Sequence, residues 1–313
     1  MPPIPDLADS PYLTNETIFA PTERPRHLLI IGAGPIGMEK AQAPRRLGAA
    51  VTVVDAGTAL GREDRDLAQA VGDRFARDGV TLRQNMAVTR VATGTDGQVA
   101  VTMTDGAGAD ETITGSHLLV ATGRAPTVDG LDLERAGIAF DTRGIKVDRR
   151  LRTTNKRVFA IGDCHGGYQF THMAAYEGGI VIRNALFRMP AKADYGAVPR
   201  VTYTDPELAQ AGLTEAEARA RYGAGLKVHI FAYQDYDRAG AERRTEGHAR
   251  LVTGRGGRIL GVGVAGAQAG EVIQPLDPGH DGEADAETHD RQDRTLSDLG
   301  GGEQTPCGIV LYG

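Results

Sequence analysis

Strand and helix patterns of apolar and polar positions alternate near the start of the chain. His27 to Ile31 (HLLII) is a nearly continuous apolar run, as expected for a strand buried on both faces of a parallel sheet. A helical pattern then extends to Leu47, and a second apolar run covers Ala50 to Val54. A strand, a helix and a strand within about thirty residues predict a βαβ unit.

The hydrophobic pattern predicts further elements along the chain. Amphipathic and alternating stretches indicate one helix, two strands and an antiparallel meander. In chain order these are the helix Asp64 to Asp78, the strand Val80 to Leu82, the meander Val88 to Val91, Val99 to Thr104 and Glu111 to Ile113 with turns at Asp96-Gly97 and Asp105-Gly106, and the strand His117 to Ala121. Gly247 to Val264 indicates a hairpin that turns at Gly254 to Gly257.

The length of the chain is enough for two or three modest domains. The 313 residues include 42 glycines and no tryptophan, a balance typical of α/β nucleotide-binding folds with tight turns. The net charge is −6, but residues 276–313 hold nine acidic residues and two arginines, so the preceding chain is nearly neutral. Without a basic stripe we expect no nucleic-acid partner. Without a long apolar run or a signal pattern we expect no membrane contact and a cytoplasmic location.

The sequence Gly32 to Gly37 (GAGPIG) joins the first strand to the first helix with the spacing of a dinucleotide-binding turn. Gly32 permits a tight turn, Gly34 lets a pyrophosphate approach the backbone, and Gly37 lets the helix pack closely on the strand. The helix start offers free N–H groups to phosphates. The predicted cofactor-binding residues of this turn are Gly32, Gly34, Pro35, Ile36 and Gly37. The alternative is a glycine turn without a ligand.

Asp55 ends the second strand, where its carboxylate can accept hydrogen bonds from the hydroxyls of an adenosine ribose. A carboxylate would also repel a 2′-phosphate, and no arginine follows directly after it. The sequence therefore favours NAD over NADP as the bound dinucleotide.

Pro44 interrupts the helical pattern that follows the glycine turn. Proline removes one backbone hydrogen bond and clashes with the preceding turn, at a cost of about 3 kcal/mol in a helix interior. We therefore expect a kinked or shortened helix that still presents its first turn.

Two later motifs are more specific than the glycine turn. LLVATGR ends at Arg124, and TTNKRVFAIGDCHGGYQFTHMAAYEG begins at Thr153. At this separation they resemble the pyridine nucleotide–disulfide oxidoreductases, the family of lipoamide dehydrogenase, glutathione reductase and mercuric reductase. The resemblance extends from Pro3 to about Gln274 and implies FAD and NAD as cofactors, with hydride transfer between NAD(P)H and flavin.

The resemblance implies a role for residues of both motifs in binding the cofactors. Gly162 and Asp163 would close the flavin site, with the Asp163 carboxylate on the ribityl chain. The helix that begins near Thr171 would point its N-terminus at the flavin and stabilise its anionic reduced form. Gly123 and Arg124 are assigned to cofactor binding in the same way. As an alternative, Asp163 is a simple turn aspartate.

Glu39 is the predicted catalytic residue. By the resemblance, it matches a glutamate that lies beside the nicotinamide and the flavin; the alternative is an exposed helix residue. Of the two cysteines, Cys164 and Cys307, neither belongs to a metal-binding motif, so no metal site is predicted, and we interpret Cys164 as a packing residue.

The resemblance also divides the chain into domains. The predicted fold is α/β, with a Rossmann-like NAD(P)-binding domain inserted in a partial FAD-binding domain and followed by an incomplete α+β dimerisation domain. By family, the chain forms a homodimer. The predicted domains are residues 1–26, a linker from a missing FAD-binding segment; 27–123, the NAD(P)-binding domain; 124–195, the C-terminal part of the FAD-binding domain; 196–275, a partial dimerisation domain; and 276–313, a disordered acidic tail.

The sequence departs from the family's pattern at both ends. It contains one GxGxxG, no CxxxxC redox pair and no lysine partner for Glu39, and after Gln274 the resemblance is lost, as a frameshift would produce. We therefore expect half of an FAD site and an incomplete dimer interface that leaves Ile259 to Val264 poorly covered. His280 and His289 are interpreted as solvated tail residues.

Two alternatives to an active oxidoreductase stay open. One is a non-catalytic NAD-binding fragment or inactive remnant, and the other is a separate chain that supplies the missing segment. The sequence does not identify the final electron acceptor among lipoamide, glutathione and Hg(II).

Overall fold

The structure is a computed structural model that describes residues 2–274, and it divides into two compact units. One unit contains the described residues up to Thr122 and from Ala197 onwards, and the other is Gly123–Gly196. The predictions for His280, His289, Cys307 and the acidic tail lie outside the described residues. The domain boundaries given above stay predictions.

The strands of the described residues are β1 (His27–Ile31), β2 (Ala50–Val54), β3 (Thr81–Arg83), β4 (Met86–Thr93), β5 (Val99–Asp105), β6 (Asp110–Gly115), β7 (His117–Val120), β8 (Phe140–Asp141), β9 (Gly144–Ile145), β10 (Arg200–Thr202), β11 (Glu207–Gly212), β12 (Lys227–Ala232), β13 (His248–Thr253) and β14 (Ile259–Gly266). The α-helices are α1 (Pro35–Arg46), α2 (Arg65–Asp78), α3 (Thr171–Ala185), α4 (Glu215–Tyr222), α5 (Asp237–Glu242) and α6 (Ala269–Val272).

A parallel sheet in the order β3-β2-β1-β7 forms the centre of the first unit. The strands are buried on both faces. Leu28 and Ile30 of β1 pack into one cluster with Phe75 of α2, whereas Leu29 packs into another with Val101 of the β4-β5-β6 meander. This burial confirms the prediction made from the unbroken apolar runs. In the meander, the turn after β5 places its positive φ at Gly108, two residues later than the predicted Asp105-Gly106 turn.

α1 is not shortened at Pro44, since it continues to Arg46, and the alternative of a kink stays a prediction. Two arginines of its last turn bond groups outside the helix. The Arg45 side chain donates to the Asp78 and Ala49 carbonyl oxygens, and the Arg46 side chain pairs with the Asp78 carboxylate. Contacts with the end of α2 therefore offset the backbone hydrogen bond that Pro44 cannot donate.

An antiparallel sheet in the order β10-β11-β14-β13-β12 completes the first unit. The β13–β14 hairpin turns at Arg255–Gly257 and confirms the predicted hairpin. The expectation that Ile259 to Val264 would be poorly covered is wrong, because Ile259, Val262 and Val264 are buried. They lie on a strand inside the sheet and pack into a cluster with Ala269 and Ile273 at the end of the described chain.

The second unit, Gly123–Gly196, contains the β8–β9 pair, a short 3-10 helix at Gly162–His165, and α3. Ile138, Ile145 and Ala160 belong to one of its apolar clusters, and Ile180 of α3 belongs to another. Cys164 packs against the first cluster. Among residues 2–274, no helix combines the length and apolar composition needed to cross a membrane.

Candidate functional site

Of the three glycines in the turn between β1 and α1, only Gly34 has open space beside it. A Cβ on Gly32, whose φ is +109°, would lie 2.4 Å from the Ala121 carbonyl oxygen. A Cβ on Gly37 would lie 1.8 Å from the Gly32 carbonyl oxygen, but one on Gly34 would have no neighbour within 4 Å. Gly32 and Gly37 are therefore required by packing, and the space beside Gly34 is available to a ligand.

The N-terminus of α1 faces this space without a side-chain cap. Gly34 is the N-cap residue and Pro35 the first residue of the helix. The Met38 N–H donates to the Gly34 carbonyl oxygen, whereas no side chain caps the preceding amides of the first turn. Free N–H groups at a helix start can donate to an anion and carry a partial positive charge.

Asp55 is hydrogen-bonded to the glycine turn itself. Its Oδ2 accepts from the Ala33 N–H at 2.6 Å, and its Oδ1 accepts from the Gly57 N–H at 2.7 Å. Each carboxylate oxygen has a second lone pair for a further donor. The half-buried carboxylate is thus oriented before any ligand arrives, and it can still accept from hydroxyl groups.

Glu39 lies on the second turn of α1 and contacts the segment that follows β10. Its Oε1 accepts from the Tyr203 backbone N–H at 2.9 Å. The Tyr203 side chain is 70% exposed. This contact was not predicted from the sequence, since the two residues are 164 positions apart.

The residues predicted for the flavin lie in the second unit. Asp163 belongs to the 3-10 helix, and Arg124 Nη1 lies 3.6 Å from its Oδ2. Arg124 also donates to the Gln169 carbonyl oxygen. Gly123 has a φ of +124°. Thr171 is the first residue of α3, which has no side-chain cap.

Glu177 of α3 supports the 3-10 helix and was not predicted from the sequence. Its fully buried carboxylate accepts from the Gly162 N–H at 2.7 Å, from the Tyr195 hydroxyl at 2.8 Å and from His165 Nε2 at 2.9 Å. Burial raises the pKa of Tyr195 above its ordinary range, and the hydrogen bond to Glu177 raises it further, so the hydroxyl stays a donor. Gly162 and Asp163 are therefore supported by a buried carboxyl group that has three hydrogen-bond partners.

The predicted site residues fall into two sets, one in each unit. The first unit holds Gly32 to Gly37, Asp55 and Glu39, and the second holds Gly123, Arg124, Gly162, Asp163 and Thr171. Among residues 2–274, no group of three or more histidine, cysteine or acidic side chains has a metal-binding arrangement.

A parallel sheet with a glycine turn at the start of α1, joined to an antiparallel sheet, defines a Rossmann-type α/β protein with an added α+β region. The chain belongs to the pyridine nucleotide-disulphide oxidoreductase family. The family's model matches residues 1–178, and the model of the family's dimerisation domain matches residues 198–292.

Similar proteins include a mercuric reductase of Streptomyces lividans, 37% identical over 276 residues, which cover 87% of this chain and 57% of that protein. A mycothione reductase of Mycobacterium tuberculosis is 36% identical over 85% of this chain and 58% of its own length. The structure of the HOCl-induced flavoprotein disulfide reductase RclA from Escherichia coli aligns with a TM-score of 0.84 and 28% identity, over 96% of this chain and 69% of that one. The chain spans little more than half the length of the two reductases found by sequence.

Proposed function

We propose that the chain carries the NADH site of a flavin-dependent oxidoreductase and takes part in hydride transfer between NADH and FAD. The observation that supports the proposal most is the Asp55–Ala33 hydrogen bond, because it joins a ribose-binding acid to a phosphate-binding turn. Membership of the family favours an oxidoreductase over a non-catalytic fragment.

The glycine turn fits a dinucleotide. The open space at Gly34 gives a pyrophosphate room, and the amides of Ile36 and Gly37 would donate to it. Pro35 holds the first helical residue in place without needing a hydrogen-bond acceptor. Asp55 would accept from the adenosine ribose and repel a 2′-phosphate, which favours NADH over NADPH.

Glu39 would lie beside the nicotinamide, in keeping with the family's pattern. Its carboxylate is already hydrogen-bonded to the Tyr203 amide, so its position is set before the dinucleotide binds. We assign it the task of orienting the nicotinamide ring.

The residues of the second unit fit one wall of a flavin site. Asp163 has a half-exposed carboxylate that can accept from a hydroxyl, and Arg124 lies within reach of the same space. The uncapped start of α3 at Thr171 would place positive potential there. Gly123 and Gly162, both at positive φ, let the backbone turn close to a ligand. When bound, NADH supplies a hydride and the flavin accepts two electrons.

We further propose that the chain forms a homodimer through the region matched by the dimerisation model. In size-exclusion chromatography with light scattering, a mass of twice 33.1 kDa would support the dimer and a mass of 33.1 kDa would contradict it.

Calorimetric titration of the purified chain tests the dinucleotide site. NADH is expected to bind more tightly than NADPH. Absence of binding by either would contradict the proposed site, and tighter binding of NADPH would contradict the assignment of Asp55.

The flavin step needs a separate measurement. With FAD added under anaerobic conditions, the chain should accelerate the NADH-dependent loss of flavin absorbance over a protein-free control. NADH binding without this acceleration would instead support the alternative of a non-catalytic NAD-binding fragment.

A further inference from the structure

Three polar side chains on one face of α1 contact the short segment Tyr203–Asp205. Glu39 accepts from the Tyr203 N–H, Gln42 bonds the Asp205 backbone, and Arg46 pairs with the Asp205 carboxylate at 2.8 Å. The spacing of three and then four residues puts these side chains on the same side of the helix. The segment is thus attached to the helix that begins at the glycine turn.

Gln42 is the central and most buried of the three, with 5% of its surface exposed. Its Nε2 donates to the Asp205 carbonyl oxygen at 2.8 Å and to Asp78 Oδ2 at 3.0 Å, and its Oε1 accepts from the Asp205 N–H at 2.8 Å. The side-chain amide therefore bonds both backbone groups of Asp205, as a neighbouring strand would. Both N–H donors of the Gln42 side chain are thus used, and its carbonyl oxygen has one partner.

Fixing Asp205 also fixes the amide of Tyr203, two residues earlier. The intervening Thr204 is buried, and its hydroxyl donates to the Pro206 carbonyl oxygen at 2.7 Å, which restricts the turn from the other side. Arg46 and Arg244 hold the Asp205 carboxylate at 2.8 Å each. Burial raises the pKa of Asp205, but the hydrogen bonds from the two arginines outweigh this effect and the net pKa is lowered.

We propose that Gln42 is a positioning residue for Glu39: it fixes Asp205, and through it the Tyr203 amide that orients the Glu39 carboxylate. The role rests on the proposed function, in which Glu39 orients the nicotinamide. Loss of Gln42 removes its two hydrogen bonds to the Asp205 backbone, which loosens the Tyr203 amide and with it the Glu39 carboxylate. The glycine turn and Asp55 lie at the other end of the dinucleotide site and keep their own hydrogen bonds.

Two ligands separate this role from a general structural one. NADH carries a nicotinamide, whereas ADP-ribose contains the adenosine and pyrophosphate without it. For Gln42→Leu we expect the affinity for NADH to fall about tenfold, as for a lost hydrogen bond to a charged group, and that for ADP-ribose to change less than about twofold. Gln69→Leu is the matched control, because Gln69 is exposed on α2 and bonds only Asp73 in the described chain.

A double-mutant cycle tests whether Gln42 acts through Glu39. If it does, Glu39→Gln combined with Gln42→Leu weakens NADH no more than the stronger single variant, so the two effects are not additive. Additive losses would mean that Gln42 affects the dinucleotide by another route.

Hydrogen exchange keeps the proposal testable if Gln42→Leu does not fold. In the unaltered chain, the Tyr203 amide should be protected from exchange. Gln42→Glu retains an acceptor for the Asp205 N–H but has no donor. In this variant the Tyr203 amide should exchange faster, while the Ala33 amide stays protected. An unprotected Tyr203 amide in the unaltered chain would overturn the proposal.

Equal losses of NADH and ADP-ribose in Gln42→Leu would also overturn it, because they would indicate a merely structural role. If the unaltered chain binds neither ligand, the proposed function fails instead. In that case exchange at Tyr203 still reports whether Gln42 fixes the segment.

Discussion

The Oδ2 atom of Asp55 lies 2.6 Å from the backbone nitrogen of Ala33, so the acid at the end of β2 is bonded to the turn at the end of β1. A hydrogen bond from a backbone amide to a carboxylate is stronger than one between neutral groups. Asp55 therefore shapes the glycine turn, and under the proposed function it also selects the ligand.

Asp55→Ala should remove both the hydrogen bond to the glycine turn and the discrimination against NADPH. We expect the affinity for NADH to fall about tenfold or more, and the affinity for NADPH to fall less, since the repulsion of a 2′-phosphate is removed as well. Titration of both dinucleotides measures the ratio. Asp73→Ala on α2 is a suitable control, and an unchanged ratio in Asp55→Ala would contradict the assigned selectivity.

Alanine substitutions at Gly34 and Gly37 distinguish a glycine that leaves space for a ligand from one that is required for packing. Gly34 has a φ of −74° and a ψ of −179°, which alanine adopts without strain, and its Cβ would meet nothing. Gly34→Ala should therefore leave the melting temperature unchanged and weaken NADH. Gly37→Ala forces a Cβ against the Gly32 carbonyl and should cost about 1–3 kcal/mol of stability.

Calorimetric titration and thermal unfolding of both variants check this pair. Unweakened NADH binding in Gly34→Ala would show that the dinucleotide does not use the space at this turn. A fully stable Gly37→Ala would show that the turn can relax.

Glu177→Leu tests the support beneath Asp163. The change leaves the Gly162 N–H, the Tyr195 hydroxyl and His165 without their acceptor, and we expect a loss of about 3 kcal/mol or more. Urea unfolding measures it, with hydrogen exchange at Gly162 as the local reading. Glu134 is exposed, and Glu134→Gln should change stability by less than about 0.5 kcal/mol. Equal stability of the two variants would contradict the inferred support.

The environment of His248 predicts that the stability of the fold depends on pH. Burial first, and the Arg250 charge second, lower the pKa of His248 below its ordinary value. A histidine with a lowered pKa in the folded state stays neutral there while the unfolded chain takes up a proton. Its contribution to stability is therefore present above about pH 6.5 and is lost as the pH falls towards the folded-state pKa.

His248→Gln should make the stability of the chain less dependent on pH between about 6.5 and 5. Urea unfolding at a series of pH values measures the slope for both proteins. The same slope in the variant and the unaltered chain would show that another group titrates in this range.

Elements set by contiguous sequence were predicted well. β1, α2 and the β13–β14 hairpin follow from local periodicity and turn residues, and the glycine turn follows from spacing alone. Contacts between distant segments were not predicted, because periodicity gives no pairing partner. Gln42 and Asp205 are 163 residues apart, and the polar positions on one side of α1 were the only sequence signal for their contact.

The burial of Ile259 and Val264 was likewise not predicted from the sequence. Their exposure was inferred from the family's pattern at the end of the chain, but a central strand is covered by its own sheet and by α6 whichever residues come after it. For the second unit, the motif predicted a flavin-binding role for Asp163, which stays a prediction. Glu177 was missed, because its contacts depend on how α3 packs.

Pro44 has a consequence for the order of folding. The last turn of α1 is completed by Asp78 and Asp205, which lie 32 and 159 residues after Arg46 in the chain. A peptide of α1 alone lacks both carboxylates and retains the proline, so it should show little helix in water. During synthesis on the ribosome, α1 would therefore reach its final length only after much later parts of the chain have emerged.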